Sequence, residues 1–442
     1  MNTSTTIAEK ITPGAVLLPE LDVLQTTLAG NEQIRFIRRK ALKSFRLQGL
    51  PERKNEEYKY SPVAALFRTG RSFPASTHSL TRNDLTPFLV PGMDAFLITI
   101  IDGKLSRELS DELKGTPALQ LHDLASLEET PSAVFQKHFG ADALITADPF
   151  IALNTAAFRD VVFIQVPNNA RIEKPIHILN IVTAEGAELV NPRILIQVGR
   201  NSAIQVIENF IAIGKAEQTL CNALTEIRVG SGSTMLFYKI QDHCKNLSLI
   251  STTQVYQDEQ SHFDTHTVSL SGNWIRNNLT IVADAEQCET HLNGLFILNN
   301  HQHVDNHTLV DHRKPNCESN QLYRGILDDK STGVFNGKIY VRPDAQKTNA
   351  YQSSKNMLLS DDAGMNTKPQ LEIYADDVKC SHGSSTGQLD EDALFYLRAR
   401  GIGADSARAL LMFAFTRDVI NTIRIEALRT QVEELIEKRL TH

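Results

Sequence analysis

The sequence predicts a mainly β chain with helical regions at both ends, and for its middle part it favours a solenoid of short strands. Between about residues 161 and 374, short apolar runs such as VVFIQV, IHILNIV and RILIQV start roughly every 10 to 18 residues. Gly, Asn, Asp and Pro separate these runs and no convincing amphipathic helix interrupts them, which disfavours a doubly wound α/β sheet. Regular short strands with Asn-rich corners favour a solenoid, in which each coil buries its inner face on the next. Two sandwiches or a large barrel stay open from these residues alone.

The N-terminal region, residues 1–135, carries helical patterns and turn signals. Residues 33–47 predict a helix because five apolar residues fall on one side at helical spacing: Ile34, Ile37, Ala41, Leu42 and Phe45. The basic residues fall largely on the other side, and we interpret them as a solvated face: Arg35, Arg38, Arg39 and Lys43. A loop over residues 84–88 and a first strand over residues 95–102 follow.

The C-terminal region, residues 384–442, returns to helical spacing after a central region of residues 136–383. Asp390 and the acidic residues after it favour a helix N-terminus, and Gly401 is a suitable stop. A second helix is expected from about Asp405, with one apolar face that comprises Ala407, Leu410, Leu411, Ala414 and Phe415. A third helix is expected over residues 420–440.

Two soft-metal ligand types, Cys380 and His382, follow a strand-like run and are separated by one residue. On a strand such residues share a face and lie about 6.5–7 Å apart, so both can face one metal ion or one partner surface. Two ligands do not complete an iron or zinc site. Spacing alone favours a buried Cys beside a hydrogen-bonded His, and metal chemistry would need ligands from elsewhere in the fold or from another chain.

A histidine-rich run over residues 301–312 is a second candidate. On a strand, four polar residues would share a face: His301, His303, Asp305 and His307. The first and last would lie about 20 Å apart, so one ion could take at most two of them. We interpret the run as a ladder of side chains along the solenoid.

Several function classes are disfavoured. The sequence has no GxxxxGK[ST] phosphate loop, no GxGxxG fingerprint and no GxSxG elbow, so ATP hydrolysis by this chain is not expected. A net charge of −7 argues against non-specific nucleic-acid binding, and no run of 18 apolar residues predicts a membrane span. Five scattered cysteines suit a reducing compartment, and no signal peptide is visible, so we expect a cytoplasmic protein.

Three long segments carry a family resemblance. They are GLPERKNEEYKYSPV (residues 49–63), HVDNHTLVDHRKPNCESNQLYRGIL (residues 303–327) and the run from KTNAYQSSKNMLL to FYLRARGI (residues 347–402). The chain resembles the SufB/SufD family, scaffold proteins of iron–sulfur cluster assembly. This resemblance implies a right-handed parallel β-helix flanked by helices, without enzymatic activity of its own.

One departure favours the SufD branch of this family over the SufB branch. A SufB-like chain would have a cysteine near Ser353 or Ser354, and many carry a CxxC-type motif near the N-terminus. Here both are missing, and no cysteine precedes Cys221. Independent cluster assembly by this chain is therefore not expected.

The resemblance also implies partners. The chain would pair with a SufB-like subunit through its last coils, around residues 321–380, and bind a SufC-like ATPase through C-terminal helices that include Leu410, Leu411 and Phe415. His382 would supply an iron ligand or a proton-handling group for iron or an iron–sulfur cluster held transiently at the SufB–SufD interface, with Cys380 the weaker candidate. No cofactor is expected to bind stably to the chain alone. Flavin recruitment and a homodimer of the isolated chain are left open.

Two other function classes stay open from the sequence. A β-helix carbohydrate-active enzyme would show paired carboxylates in an open cleft and usually a secretion signal, and the family segments do not fit it. A metal-free structural homodimer would lack affinity for a SufC-like ATPase.

Overall fold

The computed structural model describes residues 14–68, 70–74, 79–113, 119–130, 132–140, 148–183 and 186–440. Within these ranges short 3₁₀ turns occur at Ala15–Leu17, Glu56–Tyr58, Ala64–Phe67 and Thr86–Phe88. The α-helices are α1 (Leu18–Thr27), α2 (Glu32–Gln48), α3 (Arg82–Leu85), α4 (Leu124–Glu129), α5 (Ala133–His138), α6 (Pro149–Ala157), α7 (Glu391–Ala399), α8 (Ala404–Ile420) and α9 (Glu426–Leu440). None of these described helices is long and apolar enough to cross a membrane.

The strands are short and lie mainly between α6 and α7. They are β1 (Phe96–Ile101), β2 (Lys104–Ser106), β3 (Gln120–His122), β4 (Val162–Val166), β5 (Ile176–Val182), β6 (Leu189–Val190), β7 (Arg193–Val198), β8 (Ala203–Ala212), β9 (Leu220–Val229), β10 (Thr234–His243), β11 (Ser248–Gln257), β12 (His262–Ser269), β13 (Trp274–Ala283), β14 (Glu289–Leu298), β15 (His303–His312), β16 (Glu318–Leu327), β17 (Thr332–Val341), β18 (Asn349–Leu358), β19 (Gly364–Ile373) and β20 (Lys379–Gly387).

These strands form a parallel β-solenoid of about eight turns, which confirms the predicted fold class. From β7 onward, odd-numbered strands build one sheet and even-numbered strands build the other, so each turn contributes one strand to each sheet. Successive turns pair in parallel, for example β16 with β18 and β18 with β20. The antiparallel strands β2 and β3 complete the N-terminal edges of the two sheets.

At the corners between the sheets, the chain turns through residues whose backbone adopts the left-handed conformation, with positive φ. One column of corners comprises Asn169, Asn201, Gly232, Gln260, Gln287, Asn316 and Lys347, with φ between 53° and 67°. In every turn before Lys347, the corner N–H donates to the carbonyl just before the corner residue of the next turn, as Asn201 does to Ser231 O (2.9 Å) and Asn316 to Gln346 O (2.9 Å). Asn tolerates this conformation better than most residues, which explains the Asn-rich corners in the sequence.

The core lies between the two inner faces. It contains large apolar side chains from both sheets, among them Ile178, Ile196, Phe237, Phe263 and Phe335. Burial declines toward the C-terminal end: every residue of β19 is only half-buried or exposed, and β20 is exposed except for half-buried Cys380.

The flanking helices follow the predicted apolar faces with two corrections. All five predicted apolar residues of α2 are buried, but Arg38 is buried as well and does not belong to a solvated face. Its guanidinium lies 4.3 Å from the centre of the Phe158 ring and donates to Phe158 O (2.9 Å). The third C-terminal helix begins at Glu426 and not at residue 420, because α8 continues to Ile420 and a turn follows.

Glycine and aromatic residues alternate across two neighbouring turns inside the solenoid. Gly294 of β14 pairs with Tyr323 of β16, and Phe296 pairs with Gly325. A methyl group at Gly294 would lie 2.0 Å from Cε1 of the Tyr323 ring. Since Tyr323 is buried and its ring packs 4.7 Å from that of Phe335, it has little room to move.

We therefore expect Gly294→Ala to destabilise the chain by about 1–3 kcal/mol through overpacking. Gly364→Ala is the matched control, because a methyl group there would meet no atom within 4 Å. Urea unfolding of both variants measures the difference. Equal stability of the two variants would show that this part of the interior is not close-packed.

Candidate functional site

The C-terminal end of the solenoid is open. Among the described strands, β19 and β20 are the last of their sheets, and each pairs on one side only. Large apolar side chains are exposed in the last two turns, namely Tyr351, Ile373 and Tyr374. A strand edge with exposed apolar groups beside it is a surface that natural proteins cover or pair.

His382 lies in the row of residues that faces inward in the preceding turns. The register pairs it with Gln352 of β18, which pairs with Gln321 of β16. Both glutamines are buried; Gln352 Nε2 donates to Gln321 Oε1 (3.2 Å), which also accepts from Thr308 Oγ1 (2.7 Å). His382 therefore continues an internal polar row, but it is exposed at the open end where no further turn covers it.

Cys380 lies on the same face of β20 as His382 and is less accessible. It pairs with buried Ala350 and packs against a small cluster that includes Ile339 and Val341. Partial burial raises the pKa of the Cys380 thiol, which disfavours the thiolate that binds metals. His382 therefore presents an exposed imidazole to a metal ion or a partner, whereas the thiol of Cys380 is partly buried.

The three apolar residues named on α8 occupy two different environments. Leu411 and Phe415 pack against the outer face of the even-numbered sheet, whereas Leu410 is 51% exposed. Leu410 lines a groove between α8 and α9 together with Ala409, Phe413 and Leu440. Sequence reasoning missed two aromatic residues of α7, Phe395 (74% exposed) and Tyr396 (57% exposed). The sequence feature that could have indicated them is the Phe-Tyr pair itself. In the structure this pair lies on a helix whose residues are all at least partly exposed.

The histidine-rich strand β15 places His303, Asp305 and His307 in one row, as predicted, but His301 lies before the strand in an exposed turn and does not belong to it. His303 stacks on Trp274 of the previous turn, with ring centres 5.6 Å apart, and the Asp305 carboxylate pairs with Arg276 (2.6 Å). Burial alone would raise the pKa of Asp305, but the charges of His307 and Arg276 outweigh it and hold this pKa well below its usual range.

The segment around residues 49–63 lies against this row. Ser61 Oγ is 2.8 Å from His303 Nε2, and a carboxylate oxygen of Glu57 is 3.3 Å from His307 Nδ1. Two of the family-like sequence segments thus meet in one polar contact between the N-terminal region and the solenoid.

Sequence reasoning also missed a cluster on the outer face of the even-numbered sheet, formed by His262, Asp264 and His291. The signal for it was an HxD pattern on β12 and an ExH pattern on β14, one solenoid turn apart.

The sequence matches two family models. Residues 26–178 match the SufBD protein N-terminal region, and residues 180–415 match the SufBD core domain of the SUF system for FeS cluster assembly. The SufBD core match spans most of the parallel turns, and the boundary between the two matches falls within β5.

Curated relatives cover most of the chain. An iron–sulfur cluster assembly SufBD family protein of Synechocystis is 30% identical over 403 residues, 88% of this chain and 87% of the relative. The iron–sulfur cluster assembly protein SufD of Escherichia coli is 30% identical over 396 residues, 89% of this chain and 90% of the relative. The protein of the same name in Bacillus subtilis is 26% identical over 75% of this chain. With both domains matched and relatives aligned along most of its length, the chain belongs to the SufB/SufD family of iron–sulfur cluster assembly proteins and is SufD-like.

Proposed function

We propose that this chain is the SufD-type subunit of a scaffold formed with SufB-like and SufC-like partners, and that it works in the cytoplasm without catalysing a reaction itself. The observation that carries this proposal is the open end of the solenoid, where exposed His382 ends an internal polar row. The free state of all five cysteines suits a reducing compartment.

The partner at the open end is a second solenoid of the same family. The Lys379 N–H donates to Thr348 O, so the odd-numbered residues of β20 bond to β18 and the backbone groups of the even-numbered residues face outward. These groups need hydrogen-bond partners, which an equivalent strand from a SufB-like chain supplies across a pseudo-two-fold axis.

Iron, or a nascent cluster, is the cargo of this interface. The neutral imidazole of His382 suits iron, and one exposed ligand leaves the remaining positions to groups of the partner chain. Sulfur must also come from the partner, because the thiol of Cys380 is partly packed and its pKa is raised.

The C-terminal helices are the proposed docking site for a SufC-like ATPase. Phe395, Tyr396 and Leu410 are large apolar side chains that the solenoid leaves exposed, while Leu411 and Phe415 anchor α8 to the sheet. Helix α8 packs on the even-numbered sheet, whose last strand is β20. Movement of docked ATPase subunits on nucleotide binding would therefore be transmitted through this sheet to the open end.

Replacing Ser384 by Pro tests the edge of β20. Ser384 is even-numbered, so its N–H faces away from β18, and Gly383 before it accepts the extended conformation that a following proline requires. We expect Ser384→Pro to fold but to lose at least about tenfold in affinity for the SufB-like chain. Proline lacks the backbone N–H that would donate to the partner strand, and its ring obstructs the approach of that strand. Ser384→Ala, which keeps the N–H, is the control, and light scattering of mixtures is the measurement. Unchanged pairing by a folded Ser384→Pro variant would place the interface elsewhere.

Replacing Leu410 by Asp tests the docking surface. We expect Leu410→Asp and Phe395→Asp each to weaken binding of a SufC-like ATPase by about tenfold or more, since a charge in an apolar contact is desolvated without a partner. Leu47→Asp is the matched control, an exposed leucine (79%) on helix α2. Calorimetric titration with the ATPase measures the affinity. Equal binding by all three variants would contradict the assignment, and the unfolding midpoint verifies that each is folded.

Replacing His382 by Ala tests the cluster-assembly role. Because the side chain is exposed, we expect His382→Ala to leave thermal stability, partner binding and ATP hydrolysis nearly unchanged, yet to lower iron and acid-labile sulfide on the reconstituted complex several-fold. Cys380→Ala should have a smaller effect. His301→Ala, another exposed histidine, is the control. A normal cluster yield with His382→Ala would leave this residue without a role in assembly.

A further inference from the structure

Four side chains form a square on the outer face of the even-numbered sheet. His262 and Asp264 alternate along β12, Glu289 and His291 alternate along β14, and the register places His262 beside Glu289 and Asp264 beside His291. Neighbouring strands lie about 4.8 Å apart and residues i and i+2 about 6.5–7 Å apart, so the four groups surround one small area. Imidazoles occupy one diagonal of this square and carboxylates the other.

Each of the two rings contacts both carboxylates, with one nitrogen toward Asp264 and the other toward Glu289. Asp264 Oδ1 lies 2.7 Å from His262 Nε2 and 2.8 Å from His291 Nδ1. Glu289 contacts the same two rings, with carboxylate oxygens 3.2 Å from His262 Nδ1 and 3.5 Å from His291 Nε2. The two rings are edge to face, with centres 5.4 Å apart.

Donor atoms from His262, Asp264 and His291 all lie within 4.8 Å of one another. Ligand atoms around a tetrahedral zinc ion lie about 3.4 Å apart, given metal–ligand distances of about 2.1 Å. The separations in the square bracket this value, so small side-chain rotations suffice to admit an ion. His262 Nε2 is buried and pairs with the Asp264 carboxylate, so this nitrogen and this oxygen already face each other at the site.

The residues around the square include one that orients a proposed ligand, as is common in metal sites. The second oxygen of Asp264 pairs with the Arg424 guanidinium (2.6 Å), which orients the carboxylate and leaves Oδ1 for the centre of the square. The Asp264 side chain is 5% exposed and that of His262 18%, whereas those of His291 and Glu289 are 36% and 48% exposed. One side of the square is thus fixed, and the other is open for an ion and water to enter.

We propose that this square binds one divalent transition-metal ion of the zinc type, through one ring nitrogen each of His262 and His291 and the carboxylate of Asp264, with the remaining position at the open side left to water. Two imidazoles favour such an ion over Mg²⁺ or Ca²⁺, which prefer oxygen ligands. The site is distinct from the open end of the solenoid and does not depend on the proposed function.

Such an ion has a structural consequence. It links two consecutive turns through β12 and β14, and through Asp264 it supports Arg424 in the turn between α8 and α9. The same turn is already held by the Arg424 N–H, which donates to the Tyr238 hydroxyl (3.2 Å), and by Thr422, whose Oγ1 is 2.7 Å from His266 Nε2. A bound ion therefore stabilises the attachment of the C-terminal helices to the solenoid.

The test uses the full chain, freed of metal by chelation, and Co²⁺ as a spectroscopic probe that Zn²⁺ displaces. We expect one equivalent of Co²⁺ to bind with visible absorption bands typical of nitrogen and oxygen ligands. His291→Ala should weaken this binding about tenfold or more, and His262→Ala combined with His291→Ala should abolish it. His301→Ala, at an exposed histidine outside the square, is the matched control and should bind as the unaltered chain does.

Thermal unfolding provides the second readout. Zn²⁺ should raise the unfolding midpoint of the unaltered chain and of the His301→Ala control, and should not raise that of the double variant. If the double variant does not fold, His291→Asn alone decides the question, since His291 is partly exposed and Asn keeps a polar group there. Absence of saturable Co²⁺ binding, or binding that survives loss of both histidines, overturns the proposal in favour of a metal-free network of histidines and carboxylates.

Discussion

Parallel pairing of each solenoid turn with the next is the constraint on which the rest of this structure depends. A turn satisfies its backbone hydrogen bonds and buries its inner side chains only when another turn follows it. At the N-terminal end, antiparallel strands β2 and β3 extend the two sheets, and helices α4 and α5, which follow β3, pack against β4 and β7. At the C-terminal end, β19 and β20 have no such successor within the described chain. The exposure of His382 and the edge proposed for pairing both follow from this asymmetry.

Much of the fold could be predicted because solenoid strands are short, regular and separated by residues that tolerate left-handed corners. Helix α2 was recognisable from its apolar face, and Gly401 marked the end of α7. Arg38 was assigned to solvent because charge alone says nothing about a neighbouring ring, and Phe158 is 120 residues away. The start of α9 was misplaced because apolar spacing continues through the turn before Glu426.

The site was predictable only in part. Residue parity places Cys380 and His382 on one face, but whether that face continues the interior depends on pairing with Gln352, which one strand cannot reveal. Leu410 and Leu411 were grouped together, although neighbouring helical residues differ by about 100° and here meet different surroundings. The square around Asp264 was missed because its members belong to two strands, and turn lengths vary too much for the register to be read from the sequence.

The central claim, that a second chain completes the open end, is tested most directly by hydrogen–deuterium exchange of the peptide spanning residues 379–387, with and without a SufB-like partner. In the chain alone, the outward-facing amides of Cys380, His382, Ser384 and Thr386 should exchange rapidly, while those bonded to β18 stay protected. The account predicts that the partner protects the first group and that this protection is the largest change in the chain. Protection confined to other segments, with residues 379–387 unchanged in a complex of verified mass, would contradict it.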